Sequence, residues 1–314
     1  MEEKAVYNPF FGLDSDPFRV NPDPRFLYFS ESHREALATL IYTVKQRKGF
    51  IVMTGEVGTG KTTVLNALIR KIDANVETAY LFNTALTVQD FFSCLFDELG
   101  IEPVEPFQKG RALRRLNEYL IDRLKRGLQT LLIVDEAQNL SVELLEEIRM
   151  LSNLETPQSK LIQIMLVGQP ELAAKLARPE LRQLRQRVEL SHRIRTLSAD
   201  DVAEYVKERL MIAGHDTGEV FSSRALKEVH RYTGGIPRVV NVLCDNSLIS
   251  AFAKQSLSVS REMVDEAAAE MGLVNSEPVV AESAPAPNRV GGRAPATRWW
   301  RRMLSRGPQP ARTT

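Results

Sequence analysis

The sequence predicts an α/β protein, in which a parallel sheet covered by helices is followed by a smaller helical domain. Apolar runs alternate with amphipathic segments between residues 50 and 192. The runs are mostly apolar on both faces, which is typical of parallel strands covered by helices on both sides. No strand pattern follows Leu197. We therefore expect four segments: an extended arm over 1–30, an α/β domain over 31–196, a helical domain over 197–272 and a tail over 273–314.

The individual elements follow from hydrophobic periodicity. Five apolar runs predict strands, at 50–54, 78–82, 130–134, 161–167 and 187–192. Amphipathic patterns predict helices, at 32–47, 61–72, 88–99, 109–126, 141–153, 170–185, 198–213, 222–233, 236–252 and 260–271. The arm holds four prolines, which prevent long regular elements, and five phenylalanines, which need burial. We expect the arm to pack against the domain that follows it.

Charge is distributed unevenly along the chain. The 314 residues carry 41 Lys and Arg against 40 Asp and Glu, for a net charge of +1. Residues 274–314 carry +5 and hold both tryptophans, which leaves −4 on residues 1–273. The Pro, Ala, Arg and Gly content of this tail predicts disorder.

Several classes of protein are excluded by composition. The two cysteines, Cys94 and Cys244, cannot form a disulfide framework, and neither lies in a cluster of zinc ligands. The first residues, Met1-Glu-Glu-Lys4, lack the apolar stretch of a secretory signal. No run approaches the ~18–20 apolar residues that span a bilayer. We expect a cytoplasmic protein.

A glycine-rich stretch, Gly55-Glu-Val-Gly-Thr-Gly-Lys-Thr62, lies between a predicted strand and a predicted helix. Two glycines five apart, followed by Lys and Thr, form the P-loop pattern. The glycines let backbone N–H groups point at phosphate oxygens, and the helix N-terminus favours negative charge. Lys61 is expected to reach the β- and γ-phosphates of ATP, and the Thr62 hydroxyl to ligate Mg²⁺. The expected nucleotide contacts are Gly55, Glu56, Val57, Gly58, Thr59, Gly60, Lys61, Thr62 and Thr63.

Two acids, Asp135 and Glu136, follow the apolar run at 131–134. Ligands of open α/β sheets bind at the carboxyl ends of the strands. Asp135 is therefore expected to hold Mg²⁺, and Glu136 to orient and deprotonate the attacking water. The alternative for the pair alone is the solvated acidic start of a helix.

Two amides follow other predicted strands. Gln169 ends the fourth strand and is expected to touch the γ-phosphate or the lytic water. Asn83 ends the second strand and is a candidate hydrogen-bond partner of Glu136. A strand terminator and a turn asparagine are the structural alternatives.

Three arginines complete the set of candidate site residues. Arg238 opens a helix of the second domain and is expected to face the phosphates. Arg187, or failing that Arg185, is expected to complete the site of a neighbouring subunit as an arginine finger. The alternative for each is a solvated surface arginine.

Together these residues resemble the AAA+ ATPases, with Walker A at 55–62, Walker B at 131–136, sensor 1 at Gln169 and sensor 2 at Arg238. The resemblance runs from residue 7 to about residue 272. It implies a five-stranded sheet of order 5-1-4-3-2 with a helical lid. It also implies ATP and Mg²⁺ as ligands and an ATP-dependent homo-oligomer.

Within that class, further motifs are similar to the ExeA/GspA family. They are Phe10-Phe-Gly-Leu, Asp16-Pro-Phe, Asp135-Glu-Ala-Gln-Asn-Leu and Val167-Gly-Gln-Pro-Glu-Leu. This family uses ATP to help assemble or position secretin machinery at the inner membrane, and shorter relatives accompany exopolysaccharide and exosortase systems. The resemblance implies an ATPase of a secretion or polysaccharide-export machine, peripheral to the inner membrane. Longer members continue into a transmembrane helix and a peptidoglycan-binding region, and we do not expect either feature in this chain.

Two further hypotheses concern partners. Transposition helpers of the TniB/MuB kind share these motifs, and the charge of −4 on residues 1–273 disfavours that DNA-binding alternative. The predicted helix 109–126 nevertheless offers a local basic patch, formed by Lys109, Arg111, Arg114, Arg115, Arg123, Lys125 and Arg126. The tail mixes aromatics with cations, which suits an anionic membrane surface or a protein partner. Its cluster is Arg298, Trp299, Trp300, Arg301 and Arg302.

Overall fold

The computed structural model describes residues 5–19, 24–26, 28–82 and 86–273, which form two compact units. The first, here called the α/β unit, is Ser32–Arg195. The second, here called the helical unit, joins the described residues before Ser32 with those from Thr196 to 273. Both ends of the described chain therefore belong to the helical unit.

Five parallel strands form the sheet of the α/β unit, in the order β2-β3-β4-β1-β5. This confirms the order 5-1-4-3-2 that the resemblance implied. Consecutive residues of the three central strands are buried, and since successive side chains point to opposite faces, both faces of the sheet are covered. The strands are β1 (Phe50–Thr54), β2 (Val76–Leu81), β3 (Gln129–Val134), β4 (Gln163–Gly168) and β5 (Leu190–Arg193).

The strand order brings three loops to one edge of the sheet. β3, β4 and β1 are adjacent and parallel, with Val134 beside Leu166 and Thr54 beside Gly168. The residues that follow these strands therefore emerge side by side at the carboxyl edge. This is where open α/β sheets bind their ligands.

Helices connect the strands, and some of them begin with a side-chain cap. Thr87 and Asp90 form a capping box at the start of the third helix, and the Ser141 hydroxyl accepts the N–H of Leu144 at the start of the fifth. The helices of the described α/β unit are α1 (Glu31–Lys45), α2 (Lys61–Lys71), α3 (Val88–Leu99), α4 (Lys109–Lys125), α5 (Val142–Leu151), α6 (Pro170–Leu176) and α7 (Arg182–Arg187).

The single helix predicted over 170–185 is wrong, because the segment is broken in two. α6 ends at Leu176, and a 3₁₀ turn over Pro179–Leu181 precedes α7. Pro179 has no N–H to continue the helical hydrogen bonds, which explains the break. The predicted strand 187–192 also begins later, at Leu190, since Arg187 is the last residue of α7.

Four helices form the described helical unit around their own apolar core. They are α8 (Ala199–Ile212), α9 (Ser223–Thr233), α10 (Pro237–Ala253) and α11 (Arg261–Glu270). The apolar side chains that α8 buries in this core include Val202, Tyr205, Val206 and Leu210. Met211, the next residue, is 49% exposed.

The arm does not pack where it was expected. Its aromatic side chains, among them Tyr7, Phe11 and Phe18, are buried in the core of the helical unit rather than in the α/β domain that follows in sequence. Two polar contacts hold it there: Arg209 Nε donates to the carbonyl of Pro17 in a buried bond, and the Tyr7 hydroxyl donates to Asp245 in a half-buried one. The expectation failed because periodicity shows that an apolar segment needs a partner and does not show which one.

Candidate nucleotide site

The P-loop joins the end of β1 to the start of α2. Gly58 and Gly60 both have left-handed backbone conformations, with φ of 80° and 89°, which glycine adopts without strain. Gly60 directly precedes α2, and no described side chain caps that helix. The first backbone N–H groups of a helix have no partner within it, so this uncapped end is suited to binding an anion.

The side chain of Lys61, near the end of the P-loop, turns back onto the backbone of that loop. Its side chain is buried, and its Nζ donates to the carbonyl oxygens of Gly55, at 2.8 Å, and Glu56, at 3.1 Å. Burial lowers the pKa of the Lys61 ammonium, and the negative charges of Glu136 and Asp135 oppose that shift. The amine and the two acids are thus close enough to interact electrostatically.

A histidine that the sequence analysis missed supports the loop. His33, buried on α1, places its Nε2 2.7 Å from the carbonyl oxygen of Thr59. A side chain at Gly60 would bring its Cβ to 2.9 Å from the same Nε2, so glycine is needed there for space as well as for backbone conformation. No sequence pattern marks this contact, because it depends on how α1 packs beside the loop.

Asp135 follows β3 and is nearly buried, at 6% exposure. Its Oδ2 accepts the hydroxyl of Tyr80, at 2.7 Å, and its Oδ1 accepts the backbone N–H of Glu136, at 2.9 Å. Burial, followed by the hydrogen bond to Asp135, raises the pKa of Tyr80. Tyr80 lies near the end of the neighbouring strand β2, and this position at the carboxyl edge was the only signal that could have found it.

Glu136 is held by two amides. Gln138 Nε2 and Gln169 Nε2 both donate to its Oε2, at 2.6 Å and 3.3 Å. The structure thus brings Gln169 from the end of β4 to Glu136, and its predicted contact with the γ-phosphate or the lytic water stays a prediction. Asn83, the other candidate partner of Glu136, lies outside the described residues.

The oxygen donors fit a magnesium ion. Asp135 supplies a carboxylate oriented by two hydrogen bonds, and Thr62 supplies an exposed hydroxyl in the first turn of α2. Carboxylate and hydroxyl oxygens are the hard ligands that Mg²⁺ prefers. An oxygen of a carboxylate has two acceptor positions, so its existing hydrogen bonds leave room for a further ligand.

The predicted arginines occupy different places. Arg185 and Arg187 are both exposed on α7, and Arg185 donates to the carbonyl of Ala177. Arg238 lies in the first turn of α10, in the helical unit, and its assignment to the phosphates stays a prediction. An arginine that was not predicted, Arg193 at the end of β5, pairs with Glu56 of the P-loop at 3.6 Å.

The structure describes the basic patch that the DNA-binding hypothesis uses, and it does not describe the tail cluster of the membrane hypothesis. On the basic face of α4, four of the seven cations have acidic partners: Lys109 with Glu147, Arg115 with Glu102, Arg123 with Glu77 and Arg126 with Asp122. The tail cluster at 298–302 lies outside the described residues. Among the helices that the structure does describe, none is both long and apolar enough to cross a bilayer.

The sheet order, the P-loop after β1 and the acids after β3 together define a P-loop NTPase fold of the AAA class. A family model described as an AAA domain matches residues 44–176. The ORC2 protein of Aeropyrum pernix, solved as ADPNP-ADP complexes, superposes with a TM-score of 0.59 at 20% identity, over 82% of this chain and 72% of that one. Drosophila ORC bound to DNA gives 0.61 at 21%, over 86% and 66%. At such identities these likenesses establish the fold alone.

Within the AAA class, the chain is similar to one characterised relative in particular. The chain is 40% identical to General secretion pathway protein A of Aeromonas hydrophila over 299 residues, which is 94% of this chain and 54% of that protein. The predicted resemblance to the ExeA/GspA family is thereby confirmed. The chain spans about half the length of this relative.

Proposed function

We propose that this protein is a Mg²⁺-dependent ATPase that hydrolyses ATP to ADP and phosphate. One observation carries the proposal: the uncapped start of α2 holds a buried lysine that interacts electrostatically with the two acids after β3. An anion-binding helix end, a cation and a carboxylate pair are what phosphoryl transfer to water requires. The AAA domain match over 44–176 supports the same reading.

The proposed roles follow from position. Lys61 and the backbone N–H groups of the P-loop would bind the β- and γ-phosphates, while Thr62 and Asp135 would hold the Mg²⁺ that neutralises phosphate charge. Glu136 would orient the attacking water and accept its proton. Gln169, which already bonds Glu136 at 3.3 Å, would bridge that base to the γ-phosphate.

Residues from beyond the P-loop edge would complete the site in an ATP-dependent homo-oligomer. Arg187, or failing that Arg185, would reach into the site of a neighbouring subunit. Arg238 would contact the phosphates of its own subunit, and Asn83 would assist Glu136.

We further propose that ATP turnover drives assembly or regulation of a secretion or polysaccharide-export machine of the cell envelope. The likeness to General secretion pathway protein A supports this. Contact of the tail, through Arg298–Arg302, with an anionic inner-membrane surface would bring a cytoplasmic ATPase to that machine. Loss of the protein is expected to leave the machine unassembled, which an export assay measures.

The DNA-binding alternative has weaker support. Because most cations of the α4 face are paired, that face lacks the open basic stripe that DNA binding uses. ATP-dependent, salt-sensitive binding to duplex DNA at ~0.15 M salt would favour the alternative over the envelope function.

The first prediction tests the ATPase itself. Glu136→Gln removes the proposed base and is expected to lower kcat by about 10²–10⁴-fold while ATP binding persists. Lys61→Ala is expected to abolish ATP binding, since it removes the cation at the phosphate site. Phosphate release and fluorescent-nucleotide binding by the purified chain, with and without Mg²⁺, measure both effects.

Glu143→Gln is the matched control, because Glu143 is an exposed acid seven residues further along the same segment. It is expected to leave kcat unchanged. If the purified chain neither binds nor hydrolyses ATP under conditions that favour oligomers, the proposed function is wrong.

A further inference from the structure

We infer that Gln138 is a positioning residue for Glu136, and that it couples the base to the end of β4. The inference rests on the proposed ATPase function. It is drawn from the two ends of one side-chain amide. Gln138 Nε2 donates to Glu136 Oε2 at 2.6 Å, and Gln138 Oε1 accepts the backbone N–H of Gln169 at 3.0 Å.

This amide ties together two loops that belong to different strands. Glu136 and Gln138 follow β3, whereas Gln169 follows β4. Because Gln169 also donates its own Nε2 to Glu136 Oε2, at 3.3 Å, the three residues form a closed ring of hydrogen bonds, one of which uses the Gln169 backbone N–H. A shift of the β4 end by contact with a phosphate would therefore be felt at the Glu136 carboxylate.

The neighbouring residues leave room for this amide and hold its backbone. Gly168 packs against it: a Cβ at position 168 would lie 2.6 Å from Gln138 Oε1, so a larger residue would displace the amide. Lys175 of α6 donates to the backbone carbonyls of Gln138 and Leu140. Gln138 is thus held by its backbone and by both ends of its side chain.

The unusual backbone conformation of Glu136 explains why its side chain needs a contact that orients it. Glu136 has φ 52° and ψ 35°, a left-handed conformation that is unfavourable for a residue with a side chain. Such conformations persist where surrounding contacts fix them, and they are frequent at functional sites. The bond from Gln138 fixes which way the Glu136 carboxylate points from this unusual backbone.

A general base must lie within hydrogen-bond reach of the water it activates, and small misplacements are costly. Gln138 therefore acts through Glu136, and we do not expect it to touch the nucleotide. Its loss is expected to change the chemical step and to leave ATP binding largely intact.

Two substitutions separate the two ends of the amide. Gln138→Met keeps the length of the side chain and removes both bonds. Gln138→Glu keeps an oxygen to accept the Gln169 N–H and replaces the donor facing Glu136 with a second carboxylate. Gln158→Met, at an exposed glutamine of the same unit, is the matched control.

For Gln138→Met we expect kcat to fall about 10–100-fold, with the KM for ATP within about threefold of wild type. For Gln138→Glu we expect a fall in kcat of at least the same size, again with the KM for ATP within about threefold of wild type. The added carboxylate faces that of Glu136, and the two like charges repel each other. Loss of a merely structural contact would not lower kcat while leaving KM unchanged.

The outcomes keep this inference apart from the proposed function. If wild type hydrolyses ATP and both variants match its kcat, Gln138 has no positioning role. If wild type itself is inactive, the proposed function fails first. If Gln138→Met loses nucleotide binding because it misfolds, the kcat and KM of Gln138→Glu decide the question alone, since that variant retains one of the two bonds.

Discussion

The Tyr80 hydroxyl lies 2.7 Å from Asp135 Oδ2, across from the neighbouring strand. Hydrogen bonds to a charged group contribute about 1.5–3 kcal/mol each. In Tyr80→Phe the carboxylate loses one of its two orienting donors, so we predict that about 10- to 100-fold more Mg²⁺ is needed for half-maximal ATPase activity. A Mg²⁺ titration at saturating ATP measures this. Tyr119→Phe, which removes a hydroxyl bonded to Glu77 in the same unit, should leave the titration unchanged, and an equal response of both variants would contradict the role of Tyr80.

Single residues could be predicted from the sequence where the local motif alone determines their position in the fold. Lys61 and Asp135 are of this kind, because the loop and strand that carry them are defined by their own residues. The sequence analysis missed Tyr80, His33 and Gln138. Each of them contacts a residue of another element, and the sequence does not show which elements pack together. Gln138 even lay inside a quoted motif, yet its partner Gln169 is 31 residues away.

Elements with strong periodicity were predicted closely: β1 has the expected bounds, and so does α3. The failures have local causes. Pro179 breaks the helix predicted over 170–185, and the arm packs with the helical unit. Apolar periodicity locates a buried face and contains no information about which distant element will cover it.

The arm offers a stability prediction at this scale. The Tyr7 hydroxyl donates to Asp245, whose pKa is raised by burial and lowered in part by that bond. Tyr7→Phe would leave a half-buried carboxylate without this donor, at a cost of about 1–3 kcal/mol in the free energy of unfolding. Because the bond favours the charged form, the loss should be larger at pH 7 than near pH 4, where the carboxyl with its raised pKa is mostly neutral.

Calorimetry of the full chain at both pH values measures this loss as a lower Tm of the helical unit. Tyr28→Phe serves as control, because the hydroxyl of Tyr28 bonds Glu204 at an exposed position, where a hydrogen bond contributes less. Equal shifts for the two variants, or a Tyr7→Phe shift independent of pH, would refute the contact between Tyr7 and Asp245 as a source of stability.

At the scale of the whole molecule, sheet order and family were predictable because the motifs specify a known topology. The assembly was not, since it depends on surfaces rather than on periodicity. Arg185 and Arg187 share one exposed helix, α7, and a motif alone could not choose between them. Arg185 also donates to Ala177 of its own chain, which makes Arg187 the better candidate to reach a neighbour.

If Arg187 completes a neighbouring site, Arg187→Ala should lower kcat by ~10³-fold or more, whereas Arg185→Ala should change it little. Mixing then distinguishes action in trans from action in cis. Glu136→Gln subunits lack the base and retain Arg187, and Arg187→Ala subunits retain the base. In a random equimolar ring about a quarter of the interfaces would pair an intact base with an intact arginine. Activity should therefore reappear in a mixture of two inactive proteins, to about a quarter of the wild-type rate, and a mixture that stays inactive would place the arginine's role within its own subunit.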